Sequence, residues 1–300
     1  MKIGLNITDE GNLLQSTVLG AIEAYKALPK NTRIVLIGDK DVIDPYLSDI
    51  DFNPEHFEFL PIRKSQRIAL KDNGITSIEL GQNLFKNGII DSFASANIHL
   101  EELKKTKEFA ADGFCTPALS ILVPQIKGGH SLLVDIGLNP NCTAEQLLWF
   151  GQLGTAFAKE ILDISYPKVG LMNIGEEEEK GNMLTQKAHI LIREDGSLNF
   201  IGNIEGRDLF NNRADVIVCD GFTGNILLKL TESFYNLTSK KGFIDDFFDC
   251  LNFEAQAFMT VLGSKFPIVI SDRIPNPLSI KNMLMSCQKI LERKLDCQQQ

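Results

Sequence analysis

Residues 199–229 read N-F-I-G-N-I-E-G-R-D-L-F-N-N-R-A-D-V-I-V-C-D-G-F-T-G-N-I-L-L-K. Two apolar runs, Asn199–Ile204 and Asp215–Cys219, each stop on a cluster of polar residues and glycine. The first passes into Glu205, Gly206, Arg207 and Asp208. The second passes into Asp220, Gly221, Thr223, Gly224 and Asn225, with a helix expected to start near Asn225. Short continuous apolar runs are the pattern of strands covered on both faces. Strands that alternate with helices build a mainly parallel sheet with right-handed crossovers.

The same rhythm extends in both directions. Strands are expected at Ile3–Ile7, Arg33–Gly38, Phe57–Ile62, Ile89–Ala94, Leu119–Pro124, Leu132–Ile136, Val169–Ile174 and Pro267–Ser271. Between them, Thr143–Leu162 has helical spacing. Thr143 and Gln146 form a capping-box pattern, and Leu147, Phe150, Gly154, Phe157, Ala158 and Ile161 fall on one face. Gly88 is placed to end a helix at Ser77–Asn87. The fold class is therefore α/β, a mainly parallel sheet with helices on both faces. The pattern breaks near Lys104–Gly113 and again near Ser239–Asp246. We expect residues 1–110 with 255–300 to form a first α/β subdomain and residues 111–254 an inserted central one.

Length and charge narrow the classes. A chain of 300 residues can bury a substantial core without metal or disulfide staples. Thirty basic residues against thirty-nine acidic ones give a net charge of -9. Nucleic-acid binding needs a broad basic surface, so that class is excluded. No stretch approaches a membrane span, and the start M-K-I-G-L-N-I-T-D-E-G lacks the apolar core of a signal peptide. A cytoplasmic location is expected. The six cysteines are scattered without a C-x-x-C pair and read as reduced thiols. His56, His99, His130 and His189 stand in no metal spacing, so no metal site is expected. No P-loop, no G-x-S-x-G elbow and no dinucleotide fingerprint occurs, so tight binding of NAD or NADP is not expected.

Open α/β sheets bind ligands beyond the carboxyl ends of their strands. Four strands in a row end in chemistry. Leu132–Ile136 carries Asp135 and leads to Gly137 and Asn139. Val169–Ile174 carries Asn173 and leads to Gly175, Glu176, Glu177, Glu178, Glu179, Lys180, Gly181 and Asn182. Asn199–Ile204 carries Asn203, and Asp215–Cys219 leads to Asp220. The glycines allow close backbone approach, and the amides from Gly221 to Asn225 offer an anion site at a helix start. Asp135, Asn173, Asn203 and Asp220 are expected along one sheet edge, with Glu177 and Glu205 nearby.

At these four loops the chain resembles the PlsX family, the phosphate acyltransferases of bacterial phospholipid synthesis. The strings are V-D-I-G-L-N (Val134–Asn139), V-G-L-M-N-I-G-E-E-E-E-K-G-N (Val169–Asn182), N-F-I-G-N-I-E-G-R-D (Asn199–Asp208) and V-I-V-C-D-G-F-T-G-N-I-L-L-K (Val216–Lys229). The resemblance implies a fold similar to isocitrate and isopropylmalate dehydrogenases and a homodimer. It implies transfer of a fatty acyl group from acyl carrier protein to inorganic phosphate, giving acyl phosphate without a cofactor. The chain departs from the family at Asn6–Asn12, Ser95–Glu101, Gln256–Gly263 and Ser271–Pro277, and its helical, membrane-associating insertion is shortened to about Lys240–Asn252. Membrane contact is thus at most peripheral.

For that reaction the candidate catalytic residues are Asp135, Asn139, Glu177, Lys180, Asn203, Glu205, Arg207 and Asp220. Lys180 and Arg207 are candidates to position phosphate, and Asn139, Asn203 and the amides of Gly221–Asn225 to stabilise an oxyanion. Candidate substrate-binding residues are Gly137, Asn173, Gly175, Glu176, Asn182, Asp208, Gly221, Thr223, Gly224 and Asn225. Acyl carrier protein is acidic, so docking is expected on Arg63, Lys64, Arg67 and Lys71 or on Lys104, Lys105 and Lys107. Two other readings remain open: a non-catalytic or regulatory homologue, and a phosphotransacetylase-like enzyme with another acyl donor.

Overall fold

The computed structural model describes residues 1–7, 11–48, 57–62, 76–96, 98, 102–103, 116–253, 258–271 and 274–293. In chain order the first elements are β1 (Lys2–Asn6), α1 (Gly11–Ala27), β2 (Arg33–Gly38), α2 (Lys40–Ser48), β3 (Phe57–Pro61), α3 (Ser77–Lys86) and β4 (Ser92–Ser95). There follow β5 (Ala118–Pro124), β6 (His130–Val134), α4 (Ala144–Ile161), β7 (Lys168–Met172), α5 (Met183–Asp195) and β8 (Asn199–Ile204). The last are β9 (Val216–Val218), α6 (Gly221–Lys241), α7 (Asp246–Asp249), β10 (Met259–Leu262), β11 (Ile268–Ile270) and α8 (Pro277–Glu292). No described helix is long and apolar enough to cross a membrane.

The chain divides into two compact units. One comprises Met1–Glu108, Glu254–Thr260 and Ser264–Gln300, the other Phe109–Phe253 and Val261–Gly263. In the first, the strand order is β3-β2-β1-β4-β11-β10. The pairs are parallel except β10 with β11, where Met259 faces Ile270 and Thr260 faces Val269. β10 is absent from the sequence reading. Its residues M-T-V-L pair antiparallel with β11, outside the parallel strand–helix rhythm that located the other strands of this unit. The strand expected at Ile89–Ala94 starts later, at Ser92. The Ile89 N–H still bonds to Leu84 O at 2.9 Å, closing α3, and Gly88 at φ +66° makes the turn.

α1 buries Leu14, Val18, Ala21 and Ile22, a helical stripe, and α8 buries Ile280, Met283, Leu284 and Cys287. These two helices meet at Gly20. A Cβ there would stand 2.5 Å from Ile280 Cβ and 2.6 Å from the Pro277 carbonyl oxygen.

The second unit has the order β5-β6-β9-β7-β8. β5 and β6 form an antiparallel hairpin, turned through Gly128 and Gly129 at φ +87° and +79°. β6, β9, β7 and β8 are parallel. α4 is capped as its sequence predicts, with Thr143 and Gln146 exchanging bonds, and it buries the expected face. Gly154 lets it lie on β9, since a Cβ would come within 2.5 Å of Val216 Cγ1. α6 starts at Gly221 rather than near Asn225, because Asp220 is its N-cap. The expected break at Ser239–Asp246 holds the end of α6, where Gly242 adopts φ +72°. The break at Lys104–Gly113 lies outside the described residues.

Gly20 gives a direct contest between propensity and packing. Alanine in an exposed helix interior gains about 1 kcal/mol over glycine. Here the new Cβ meets a backbone oxygen that cannot move aside. We expect Gly20→Ala to lose about 2 kcal/mol in urea unfolding, and an unchanged midpoint would refute this contact.

Candidate functional site

Because β6, β9, β7 and β8 run parallel, their carboxyl ends share one edge. Asp135 follows β6, Asp220 follows β9 by two residues, Asn173 follows β7, and Asn203 lies level with Leu171 near the end of β8. The spacing between paired strands is about 4.8 Å. The four residues therefore stand in a row along that edge, with Glu177 bonded to Asn203 and Glu205 directly after β8. Hydrogen bonds sort the candidates into two groups.

The first group surrounds Asp135, which is fully buried. Its Oδ1 accepts from Leu119 N at 3.0 Å and Leu138 N at 3.3 Å. Its Oδ2 accepts from Asn139 N at 2.6 Å and Asn139 Nδ2 at 2.9 Å. Burial pushes this carboxyl up from its ordinary value, and the N–H groups of Leu119, Asn139 and Leu138 pull it back. All four bonded groups, from three residues, are donors, which is what a carboxylate shut away from water requires. Asp135 thus holds the Gly137–Asn139 turn and presents no free oxygen. The geometry makes it a positioning group rather than a proton carrier. Gly137, at φ +145°, makes the turn possible.

That turn packs on the start of α6. Gly221 N donates to Asn139 O at 2.9 Å, and a Cβ on Gly221 would stand 2.9 Å from Asn139 N. A Cβ on Gly224 would lie only 1.9 Å from Asp135 O. These glycines serve loop-on-helix packing, where close approach to a ligand was expected. The anion site expected over Gly221–Asn225 is also largely filled from within. Asp220 accepts from Thr223 N at 2.9 Å and from Thr223 Oγ1 at 2.7 Å, and Gly224 N bonds to Asp220 O. Among the described residues, the Phe222 N–H of this first turn has no internal acceptor. Asn225 is exposed on the helix.

The second group joins β7, β8 and α5. Asn173 Oδ1 accepts from Ile174 N at 2.9 Å, and its Nδ2 donates to Lys180 O at 3.1 Å. Gly181 closes this loop at φ +93°, where a Cβ would strike Asn173 and Thr185. Asn182 caps α5 through Thr185 N. Asn203 is buried, donates to Glu177 O at 2.7 Å, and accepts from His189 Nδ1 at 3.0 Å. His189 also lies edge-on to Phe200, a satisfied structural histidine. The amides expected to stabilise an oxyanion already have partners within the protein. Both hydrogens of the Asn139 amide are spent on Pro117 O and Asp135, and the Asn203 amide is buried and bonded at both ends.

Charge gathers beside the second group. Glu176, Glu205 and Asp208 bring carboxylate oxygens within 4.8 Å of one another. Arg207 pairs with Glu205 and, at 3.5 Å, with Glu176, while Arg213 reaches Glu176 at 3.3 Å. Arg207 therefore answers carboxylates of its own edge first, with its guanidinium still largely exposed. Asp208 is buried, which opposes ionisation. Bonds from Glu205 N and Asn211 nonetheless hold its carboxyl below the ordinary value. These lone pairs already serve arginine and amide donors, so the three acids behave as an ion-pair network. Lys180 differs. Its stem lies over the bare backbone of Gly175, and its exposed ammonium has no ion pair among the described residues. The lysine and arginine clusters expected for docking, at 63–71 and 104–107, lie outside those residues.

Three residues at this edge escaped the sequence reading. Arg213 shares the β8–β9 connection with Arg207, and that proximity in sequence was the available signal. Cys142 lies outside the motif strings, and Cys219 lies within one as the end of an expected strand, with no site role read for it. Cys219 donates to Asp135 O at 3.3 Å. Burial, with the charges of Asp220 and Asp135, pushes the Cys142 thiol up to about 12, and burial with Asp135 and Asp220 raises Cys219 as well. Neither is a thiolate near neutral pH.

A mainly parallel sheet with its polar loops on one edge is an architecture shared by phosphotransacylases and dehydrogenases. The phosphotransacetylase of Streptococcus pyogenes superposes with a TM-score of 0.63 at 16% identity, covering 97% of this chain and 94% of that one. The 4-hydroxythreonine-4-phosphate dehydrogenase of Klebsiella pneumoniae superposes with a TM-score of 0.58 at 13% identity, covering 96% and 97%. These likenesses define the fold class. Sequence goes further. Residues 1–241 match the family described as fatty acid synthesis protein. The phosphate acyltransferase of Dictyoglomus turgidum is 34% identical over 265 residues, covering 86% of this chain and 76% of that protein. That of Alkaliphilus oremlandii is 40% identical over 247 residues, covering 77% and 70%. The chain belongs to this family, the phosphate acyltransferases of the PlsX type.

Two measurements check the geometry. Gly224→Ala should lose about 3 kcal/mol, since its Cβ collides with backbone, while Gly206→Ala, with nothing within 4 Å, should stay within about 0.5 kcal/mol of wild type. At pH 8, iodoacetamide should label the exposed Cys250 at least about 100-fold faster than Cys142, read peptide by peptide in a mass spectrometer. Comparable rates would mean that the Cys142 thiol is not held protonated.

Proposed function

We propose that the chain transfers a fatty acyl group from the thioester of acyl carrier protein to inorganic phosphate, giving acyl phosphate, and that it works as a homodimer in the cytoplasm. The observation that carries this reading is family membership over residues 1–241, the stretch that holds all four strand-end loops. A phosphate oxygen attacks the thioester carbonyl carbon. The carbonyl oxygen takes up negative charge, the C–S bond breaks, and the thiolate leaves and collects a proton. No enzyme nucleophile is required, which suits an edge whose Cys142 thiol is held protonated.

The chemistry needs a held anion and a donor for the developing oxyanion. Lys180 suits the first task best, because its charge is exposed and uncommitted, and Arg207 can share a phosphate through N–H groups not used on Glu205. The Phe222 N–H suits the second. Asp135 and Asp220 position these donors by fixing the Gly137–Asn139 turn and the start of α6.

Phosphate-dependent cleavage of acyl thioesters tests the reading, with acyl carrier protein and coenzyme A donors compared. Lys180→Ala and Arg207→Ala should each lower turnover about 30- to 1000-fold, corresponding to about 2–4 kcal/mol of lost transition-state stabilisation. Both side chains are exposed, so melting temperatures should hold. Cleavage with coenzyme A thioesters alone would move the assignment to a phosphotransacetylase-like enzyme. A wild type inert with every donor would make the chain a non-catalytic homologue.

A further inference from the structure

The backbone of Lys180 is gripped from both sides. Its N–H donates to Glu177 O at 3.1 Å, and its own carbonyl accepts from Asn173 Nδ2 at 3.1 Å. Glu177 O also accepts from Asn203 Nδ2 at 2.7 Å. A backbone carbonyl can only accept, so the end of the Asn203 side chain that meets it must be the amide nitrogen. The other end, Oδ1, then faces His189 Nδ1 at 3.0 Å. That oxygen too can only accept, so the ring must carry a hydrogen on Nδ1. The second ring nitrogen lies 3.9 Å from Glu178 Oε1, too far for a hydrogen bond, and Glu178 is paired with Arg193 at 2.5 Å. One backbone carbonyl therefore fixes an amide orientation, and the amide fixes a tautomer.

We propose that His189 is a positioning residue for Lys180: its Nδ1–H locks the Asn203 amide, the amide props the Glu177–Lys180 turn, and the turn aims the lysine. The bearing on phosphate rests on the anion-holding role proposed for Lys180, whereas the relay rests on geometry alone. The imidazole touches no solvent-facing group of the turn and acts only through Asn203. It is buried and lies edge-on to Phe200, with ring centres 5.1 Å apart. It stands seven residues after Asn182, the N-cap of α5, and Asn182 directly follows Gly181 at the end of the same loop. α5 is thus a rigid arm that holds the end of the loop at its own start and, about two turns on, returns a donor toward the middle of the loop. Without the Nδ1–H, Asn203 Oδ1 would be a buried acceptor with no donor. Turning the amide over would not relieve it, because Oδ1 would then be set against Glu177 O, two acceptors face to face. The orientation of Asn203 therefore depends on the ring at position 189, and the prop under Lys180 depends on that orientation.

Amide hydrogen exchange, read by NMR on the full chain, tests the relay in His189→Phe and His189→Asn. Phenylalanine keeps a ring and loses the donor. Asparagine carries its Nδ2 on the same carbon that carries Nδ1 in histidine, so it can supply the missing hydrogen bond. His189→Phe should speed exchange of the Lys180 N–H at least about 10-fold more than it speeds the amides of β9, which report on general loss of stability. His189→Asn should bring the Lys180 rate back to within about 3-fold of wild type. A Lys180 rate that follows β9 in the phenylalanine variant, or one that is equally raised in both variants, would overturn the proposal. Should His189→Phe not fold, the wild type decides by itself. The ¹⁵N signals of its neutral ring should place the hydrogen on Nδ1, the tautomer that free histidine disfavours in water, and a hydrogen on Nε2 would overturn the relay. In the phosphate-dependent assay, His189→Phe should raise the phosphate KM about 10-fold with the acyl-donor KM unchanged, and His189→Asn should restore it. Faster Lys180 exchange with an unmoved phosphate KM would leave the relay standing and remove Lys180 from phosphate binding, a failure of the reaction reading alone.

Discussion

The Asp135 carboxylate takes N–H groups from Leu119 at the start of β5 and from both residues that end its own turn. The same turn accepts the Gly221 N–H through the Asn139 carbonyl and leaves room for no atom between Asp135 O and Gly224. One buried acid thereby ties a strand start, a loop and a helix start into a single rigid joint. Removing it would leave four donors dry, each costing about 1–3 kcal/mol. Position and direction of α6 follow from this joint, and so does the place of Asp220 beside the neighbouring strand end.

A second joint, built from Asn203, His189, Glu177 and Asn173, does the same for the β7 and β8 loops. The polar residues at this edge therefore divide by duty. Amides and buried acids spend their hydrogen bonds on each other, while the side chains of Glu176, Glu177, Glu178, Glu179, Lys180 and Arg207 remain toward solvent. A site assembled this way has its reorganisation done in advance, the property that electrostatic stabilisation of a transition state requires.

Much of this was legible in the sequence because strand ends announce themselves. The continuous apolar runs before Asp135, Asn173, Asn203 and Asp220 fixed four neighbouring parallel strands, and the Thr143–Gln146 capping box fixed the start of α4. What the sequence hid was hydrogen-bond bookkeeping. Asn139 and Asn203 look like free donors until the partners that consume their amides are seen, and Gly224 looks like ligand clearance until the Asp135 carbonyl is found against it. β10 stayed invisible because it pairs antiparallel, outside the strand–helix alternation that located its neighbours. The Arg207–Glu176 contact was equally out of reach, since it joins loops about thirty residues apart, across the whole of α5.

The pairing of Arg207 and Arg213 with Glu176 and Glu205 has a consequence for how an anion would arrive. A phosphate that binds Arg207 does not meet a bare cation; it takes the place of a carboxylate already there. The process is an ion exchange, in which one screened contact is broken as another is made. Added salt weakens both contacts to a similar degree, so the exchange constant should move little with ionic strength. Lys180 has no carboxylate to give up, and an anion caught there gains the full attraction at low salt and loses it at high salt. An anion arriving at this edge would therefore meet cations of two kinds, a lysine without an ion pair among the described residues and arginines already paired with glutamate.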